Sequence, residues 1–324
     1  MNALKYRKLG NTGLDVSVLS FGASSLGGVF RDIQKEEGVR TVHTAIEMGI
    51  NLIDVSPYYG LTQAETVLGE ALRSIPRDRY VLSTKAGRYG QDEFDFSANR
   101  LKRSVEESLR RLGTDYLDIL LLHDIEFGSP EQVLEEGIPA LEQLKKSGII
   151  RYFGVSGLPL NIFDVVLSRT ALDVILSYCH YSLNDSSLLR LLPLLERQGT
   201  GLINASPLSM GLLSNREVPE WHPAGEDIRA ACRRAAEYCR SQGEDIAKLA
   251  IQYATANERI PTTLVSTATP GNIRNNILWT EEPVDELLLK EVLEILKPVD
   301  GATWPSGRPE WEGTPAWRNG GQSS

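Results

Sequence analysis

The stretch GINLIDVSPYYGLTQAETVLGEAL, residues 49–72, holds one complete structural unit. Residues 51–55 (NLIDV) form a short apolar run suited to a strand buried on both faces. A Pro-Tyr-Tyr-Gly loop follows, and from 63 to 73 apolar residues recur at helical spacing. The unit is strand, loop, helix, with one polar residue, Asp54, inside an otherwise apolar strand.

The same unit recurs on both sides. Strand-like runs are expected at 17–21, 80–84, 117–122, 150–155, 173–177, 201–205 and 262–265, which makes eight with 51–55. Helical stripes are expected at 36–48, 63–73, 99–112, 131–146, 160–169, 186–198, 244–256 and 270–279. In 99–112, Leu101, Val105, Leu109 and Leu112 recur at spacings of four, four and three, with charged residues on the other face. Short buried strands alternating with helices imply a parallel sheet. Eight units without a Pro/Gly/Ser-rich linker imply closure, so residues 1–324 are expected to form one α/β domain, a (β/α)8 TIM barrel. Residues 5–16, around Asn11-Thr12-Gly13, read as an N-terminal β-hairpin. Segments 227–242 and 284–297 read as two extra helices, and 301–324 as an irregular C-terminal tail. The competing architecture, an open doubly wound sheet, would carry G-x-G-x-x-G after its first strand. That turn here reads FGASSLGG, residues 21–28.

Composition narrows the function. Of 324 residues, 41% are hydrophobic and 24% charged, enough for a large core without metals or cross-links. The net charge of −9, with basic residues interspersed among acidic ones, argues against nucleic acid as a partner. No apolar run approaches the ~18 residues of a membrane span, and no leader-like h-region follows Met1. The three cysteines, Cys179, Cys232 and Cys239, match neither a zinc site nor a redox pair, so reduced thiols and a cytoplasmic location are expected. No metal is expected.

In a parallel barrel, function sits where strands run into loops at the C-terminal face. Asp54 ends its strand, Lys85 follows YVLST, His123 follows DILLL, and Tyr59 lies five residues beyond Asp54. Singly, an Asp there is often a helix cap, a Lys a solvated charge and a His a structural residue. Together, on three neighbouring strands, they make a proton-transfer site. A phenol is a poor acid or base at neutral pH, and an adjacent ammonium lowers its pKa. Lys85 supplies that charge, Asp54 holds it, and His123 orients a substrate oxygen.

The segments GINLIDVSPYYGLTQAETVLGEAL (49–72), YVLSTKAG (80–87) and RLKRSVEESLRRLGTDYLDILLLHD (100–124) resemble the aldo-keto reductase family, and the resemblance extends over residues 5–298. It implies that Asp54, Tyr59, Lys85 and His123 are the catalytic tetrad. It also implies an extended nicotinamide dinucleotide held by Gly22, Ala23, Asp54, Ser156, Tyr178, Ser206, Pro207 and Leu208. The stretch STATPGNIRNN (266–276) would complete that site through Ser266, Thr267, Thr269, Asn272, Asn275 and Asn276. Members that use NADP place basic side chains in this stretch. Ser266 and Asn272 stand there instead, so NAD is expected, with NADP kept open because Arg274 lies one turn along. Ala205 occupies a position where many members carry an aromatic ring, and Tyr178 is the candidate to replace it.

FGASSLGGVF (21–30), HDIEF (123–127), SYCHYSLND (177–185), ASPLSMGLL (205–213) and PEWHP (219–223) resemble the sugar dehydrogenases of that family more than its general carbonyl reductases. The implied reaction is oxidation of C1 of an aldose, such as L-galactose or L-fucose, to the lactone. Tyr59, His123, His180 and Trp304 are the expected substrate contacts, with Tyr181, Trp221 and His222 nearby candidates. The alternatives are an NADP-dependent reductase of small aldehydes or ketones and a nicotinamide-binding channel-regulatory subunit. The expected assembly is a monomer or small homo-oligomer.

Overall fold

Eight of the apolar runs become the parallel strands of a closed barrel in the computed structural model, which describes residues 4–28 and 33–313. They are β1 (Leu19–Gly22), β2 (Leu52–Asp54), β3 (Val81–Ala86), β4 (Leu117–Leu122), β5 (Ile150–Gly157), β6 (Val174–Tyr178), β7 (Gly201–Ala205) and β8 (Thr262–Ser266). Each pairs with its successor, and β8 closes the ring on β1 through Thr263↔Leu19 to Ser266↔Gly22. Connections through helices put apolar layers on both sides of the sheet. Leu52, Val81, Ile119, Leu121, Val174, Leu176, Ile203 and Leu264 fill the interior. The alternate residues, among them Ile53, Leu82, Leu120, Val155 and Ile175, pack outward against the helices. This is the period-two alternation of strands buried on both faces.

The N-terminal hairpin forms as strands Tyr6–Lys8 and Asp15–Ser17. It plugs the barrel end away from the strand C-termini, adding Leu9, Leu14 and Val16 to the interior cluster. The plug approaches closely: Asn11 N–H donates to Gly199 O at 2.8 Å. At Gly10 (φ 53°) a Cβ would lie 2.4 Å from Gly201 N, so a side chain there is excluded both by space and by conformation. The hairpin also explains why β1 begins at Leu19 rather than 17. Ser17 pairs with Tyr6, and its N–H donates to the Asn51 side chain.

Two helices differ from the sequence expectation, both at prolines. The segment expected as one helix over 186–198 is a 3-10 turn, Ser187–Leu191, followed by α-helix Leu192–Gln198 with Pro193 in its first turn. The segment 131–146 is Pro130–Gln132, a π-helical stretch Val133–Gly137, and α-helix Ile138–Lys146 with Pro139 in its first turn. Proline lacks the N–H that a continuous helix needs, so the chain restarts the helix around it.

Helices Glu226–Ser241 and Glu286–Leu296 are the two additions to the barrel plan. Ile228, Ala231, Cys232, Ala235 and Cys239 of the first share a separate apolar cluster with Leu288, Val292 and Leu296 of the second. All three cysteines lie in this cluster as free thiols. Burial pushes Cys232 up to about 12 and Cys239 up to about 11, which disfavours the thiolate form at neutral pH.

Beyond residue 301, where irregular chain is expected, the described segment carries one helical turn, Glu310–Gly313. Trp311 holds it down: its Nε1–H donates to Gly128 O at 3.0 Å and its ring is buried. Val29, Phe30 and Trp317 lie outside the described residues. Among those described, no helix is long and apolar enough to cross a membrane.

Candidate active site

Strand parity delivers three of the four tetrad side chains to one place. Leu52 faces the barrel interior, so Asp54 does too; the same step of two leads from Val81 to Ser83 and Lys85, and from Ile119 through Leu121 to His123. The interior rows, apolar below, turn polar at the mouth. Asp54, Lys85 and His123 are all buried, and Tyr59 is half-buried in the loop above β2. Two glycines seat that loop: Gly60 has φ 60°, and a Cβ there would lie 2.1 Å from Gly27 O. Only glycine lets the Tyr59 turn press onto the chain after β1.

Lys85 Nζ is the hub. It donates to Asp54 Oδ1, to Val55 O at 3.0 Å and to Tyr59 Oη at 3.3 Å. The other Asp54 oxygen accepts from Ser83 Oγ at 2.8 Å. Burial alone would favour a neutral Lys85. The Asp54 carboxylate more than reverses this, and the ammonium titrates above its ordinary range. Tyr59 is a correction to the sequence reading, which expects Lys85 to bring the phenol below its ordinary pKa. Burial raises it first, Lys85 lowers it second, and the balance lies above the ordinary value.

The His123 ring stands edge-on to Tyr59, with centroids 5.6 Å apart. Its Nδ1 meets Ser56 Oγ at 2.9 Å, and that oxygen already accepts from Tyr58 N–H at 3.1 Å. With Nδ1 engaged by Ser56, the other ring nitrogen, Nε2, lies 3.6 Å from Asp124 Oδ2. Burial first, then the Lys85 and Arg88 charges, holds His123 well below its ordinary pKa, so it is neutral.

The residues expected around a dinucleotide lie at the strand C-termini and in the loops and helix that follow them. Gly22 ends β1 beside Ser266 of β8. Ser266 is exposed, but its hydroxyl is engaged by Ser24 Oγ at 2.8 Å and Ser25 N–H at 3.0 Å. Ser156 is buried, accepting from Asp124 N–H and donating to Leu122 O, both at 3.3 Å. Tyr178 pairs in register with Ala205, is half-buried, and packs against both the interior cluster and the apolar cluster of the two added helices. Ser206 takes a left-handed backbone (φ 57°), and Pro207 and Leu208 follow it. Helix Pro270–Trp279 starts after Thr269, with Asn272, Arg274 and Asn275 exposed and Asn276 and Thr269 half-buried. Thr267 Oγ1 accepts from Thr269 N–H at 3.2 Å. A helix N-terminus beside hydroxyl and amide side chains, with a flat ring at Tyr178, is a donor set that fits a dinucleotide's phosphates and nicotinamide.

Two expected substrate contacts sit differently from the tetrad. Trp304 is buried in the cluster of the two added helices, edge-on to His222 at 5.2 Å. His180 is buried with Nδ1 on Asp185 Oδ2 at 2.8 Å and Ser187 Oγ at 3.0 Å. Tyr181 stacks on Tyr253 at 5.1 Å, Trp221 is exposed, and His222 Nε2 lies 3.0 Å from Ser209 O. Sequence reasoning missed Ser56, Ser83 and Arg88. Ser83 was legible, since it shares a strand face with Lys85. A separate cleft lined by Phe94, Phe127, Gln132, Glu136 and Arg308 contains none of the tetrad.

The chain and its fold have counterparts among known proteins. Residues 18–297 match the model of the aldo/keto reductase family. L-galactose dehydrogenase of Arabidopsis thaliana is 49% identical over 316 residues, covering 95% of this chain and 99% of that protein. D-arabinose 1-dehydrogenase of Saccharomyces cerevisiae is 37% identical over 254 residues, covering 74% of this chain and 75% of that protein. Among solved structures, the holo form of an aldo-keto reductase from Bacillus halodurans superposes with a TM-score of 0.78 at 28% identity, covering 93% of this chain and 98% of that one.

Proposed function

This chain belongs to the aldo/keto reductase family of nicotinamide-dependent oxidoreductases, and on that premise we propose that it oxidises C1 of an aldose, L-galactose or a close relative, to the lactone with NAD. The observation that carries the reading is the hydrogen-bonded chain from buried Asp54 and Lys85 to half-buried Tyr59, with neutral His123 beside it. The likeness to two sugar dehydrogenases supports the substrate class.

When bound, the dinucleotide supplies the acceptor for the hydride that leaves C1. The chain's own residues handle the proton. Tyr59 Oη accepts it from the C1 hydroxyl, and Lys85, 3.3 Å away, stabilises the phenolate that must exist for this. Asp54 keeps Lys85 charged and fixed. His123 Nε2–H, oriented through Ser56, donates to the C1 oxygen and holds it toward Tyr59. As the proton leaves, the C1 oxygen becomes alkoxide-like next to two positioned donors, and that charge passes into the new C=O bond as the C–H bond breaks.

The choice of NAD rests on the adenosine end. Asn272 and Ser266 are both uncharged, so neither offers a 2′-phosphate a compensating charge. The test is a panel of aldoses with NAD and NADP, reporting kcat/KM and identifying the product by mass. Lactone formation from L-galactose or L-fucose with NAD is expected. Turnover confined to aldehyde reduction with NADPH would overturn the proposal.

A further inference from the structure

Beside the tetrad the mouth holds a second charged pair that proton transfer does not use. Asp124 follows His123 and takes a left-handed backbone, φ 49°, a conformation uncommon for a residue with a side chain. Its Oδ2 lies 3.6 Å from His123 Nε2 and accepts from Arg88 Nη1 at 2.5 Å. Asp124 is buried, and only 15% of the Arg88 side chain is exposed.

Arg88 is held flat. Its guanidinium lies 3.8 Å from the centroid of Tyr58 and 5.2 and 5.5 Å from those of Phe94 and Phe127, which stack on each other at 4.7 Å. The ring of Tyr58 in turn lies 5.9 Å from that of His123. Arg88 Nε is nevertheless buried without a protein acceptor. A guanidinium fixed by aromatic rings, with a buried N–H left over, is an incomplete arrangement if its only task is the ion pair. Asp124 also has capacity left, since a carboxylate offers about four acceptor sites.

We infer that Arg88 and Asp124 form the subsite for the sugar hydroxyls next to the carbon that is oxidised, Asp124 accepting from one hydroxyl and Arg88 Nε donating to its neighbour. The inference rests on the aldose reading above and deepens it. Each hydroxyl of a vicinal pair both donates and accepts, so an acceptor-only carboxylate beside a donor-only guanidinium matches two neighbouring hydroxyls. The carboxylate is close to His123 Nε2, the atom that addresses the reacting oxygen. A substrate lacking these hydroxyls would leave both charged groups unmatched in a buried setting, the situation in which a site discriminates most strongly.

The experiment pairs residue changes with substrate changes. Wild type, Arg88→Met and Asp124→Asn are assayed with NAD on L-galactose and on its 2-deoxy and 3-deoxy forms. Wild type is expected to prefer the parent over at least one deoxy sugar by about 100-fold or more in kcat/KM. Each variant should lose most of its activity on the parent and far less on that deoxy sugar, so that the preference falls below about ten-fold. Equal losses on parent and deoxy sugars in both variants would overturn the subsite and make the pair structural. Should Arg88→Met not fold, Arg88→Lys keeps the charge and lacks the Nε donor, and the same collapse of preference is expected of it. A wild type that oxidises no aldose at all would overturn the functional reading itself, whereas one that oxidises L-galactose with undiminished discrimination in the variants would overturn the subsite alone.

Discussion

Lys85 and Tyr59 are joined by a hydrogen bond of 3.3 Å, and the ammonium also lies 5.0 Å from the phenol ring centroid. The same ammonium is anchored to Asp54 and Val55. The phenol is thus coupled to a cation that cannot move away, in a setting where burial alone would keep it protonated.

Tyr59→Phe should lower kcat by about 10²–10⁴-fold, the range lost with a positioned acid or base. The substitution removes one oxygen from a loop seated by Gly27 and Gly60 and leaves that seating intact. NAD affinity, measured by fluorescence titration, should therefore change little. Retained turnover would move the proton-transfer role to Tyr58.

Lys85→Met acts on both stability and pH dependence. Asp54 would be left buried without its cation, at a cost of about 3–5 kcal/mol in urea unfolding. Lys85 lowers the Tyr59 pKa, so its removal raises it further. Sugar oxidation needs the phenolate, so the rising limb of the pH–kcat profile should move to higher pH. A profile that stays in place while kcat falls would show that Lys85 acts by positioning alone.

His123 supplies an acid-stability signature. Its folded-state pKa lies well below the ordinary 6.5, so below that pH the unfolded chain binds a proton that the folded one does not. Its contribution is complete above pH 6.5 and is lost as pH falls, by up to about 1.4 kcal/mol per unit. Urea unfolding at pH 7 and pH 5 should show wild type losing more stability than His123→Gln. Parallel losses in the two proteins would place the acid sensitivity elsewhere.

Asn272→Arg should raise kcat/KM with NADP about ten-fold or more by giving a 2′-phosphate a charge-assisted partner. Sugar selectivity should not change. Asn272 is preferred to Ser266 for this test because the Ser266 hydroxyl ties β8 to Ser24 and Ser25. No gain in NADP use, with NADP already efficient in wild type, would assign phosphate recognition to Arg274.

The sequence by itself determined the barrel and three corners of the tetrad. Apolar runs of strand length set the eight strands, and period-two parity from Leu52, Val81 and Ile119 carries Asp54, Lys85 and His123 to the interior mouth. Tyr59 stands in the loop five residues beyond Asp54, and the resemblance matched all four residues to one tetrad. Both signals are local, which is why they survive without coordinates.

Only the tertiary structure decided the rest. It replaced single helices by restarts at Pro193 and Pro139, where a missing N–H outweighs apolar periodicity. It put Trp304 into the packing of the added helices and committed the Ser266 hydroxyl to the turn after β1. It joined Arg88 to Asp124, residues 36 apart that no motif connects. It also set the Tyr59 balance in favour of burial. Desolvation and ion pairing depend on what surrounds a group in three dimensions, and residue spacing does not encode them.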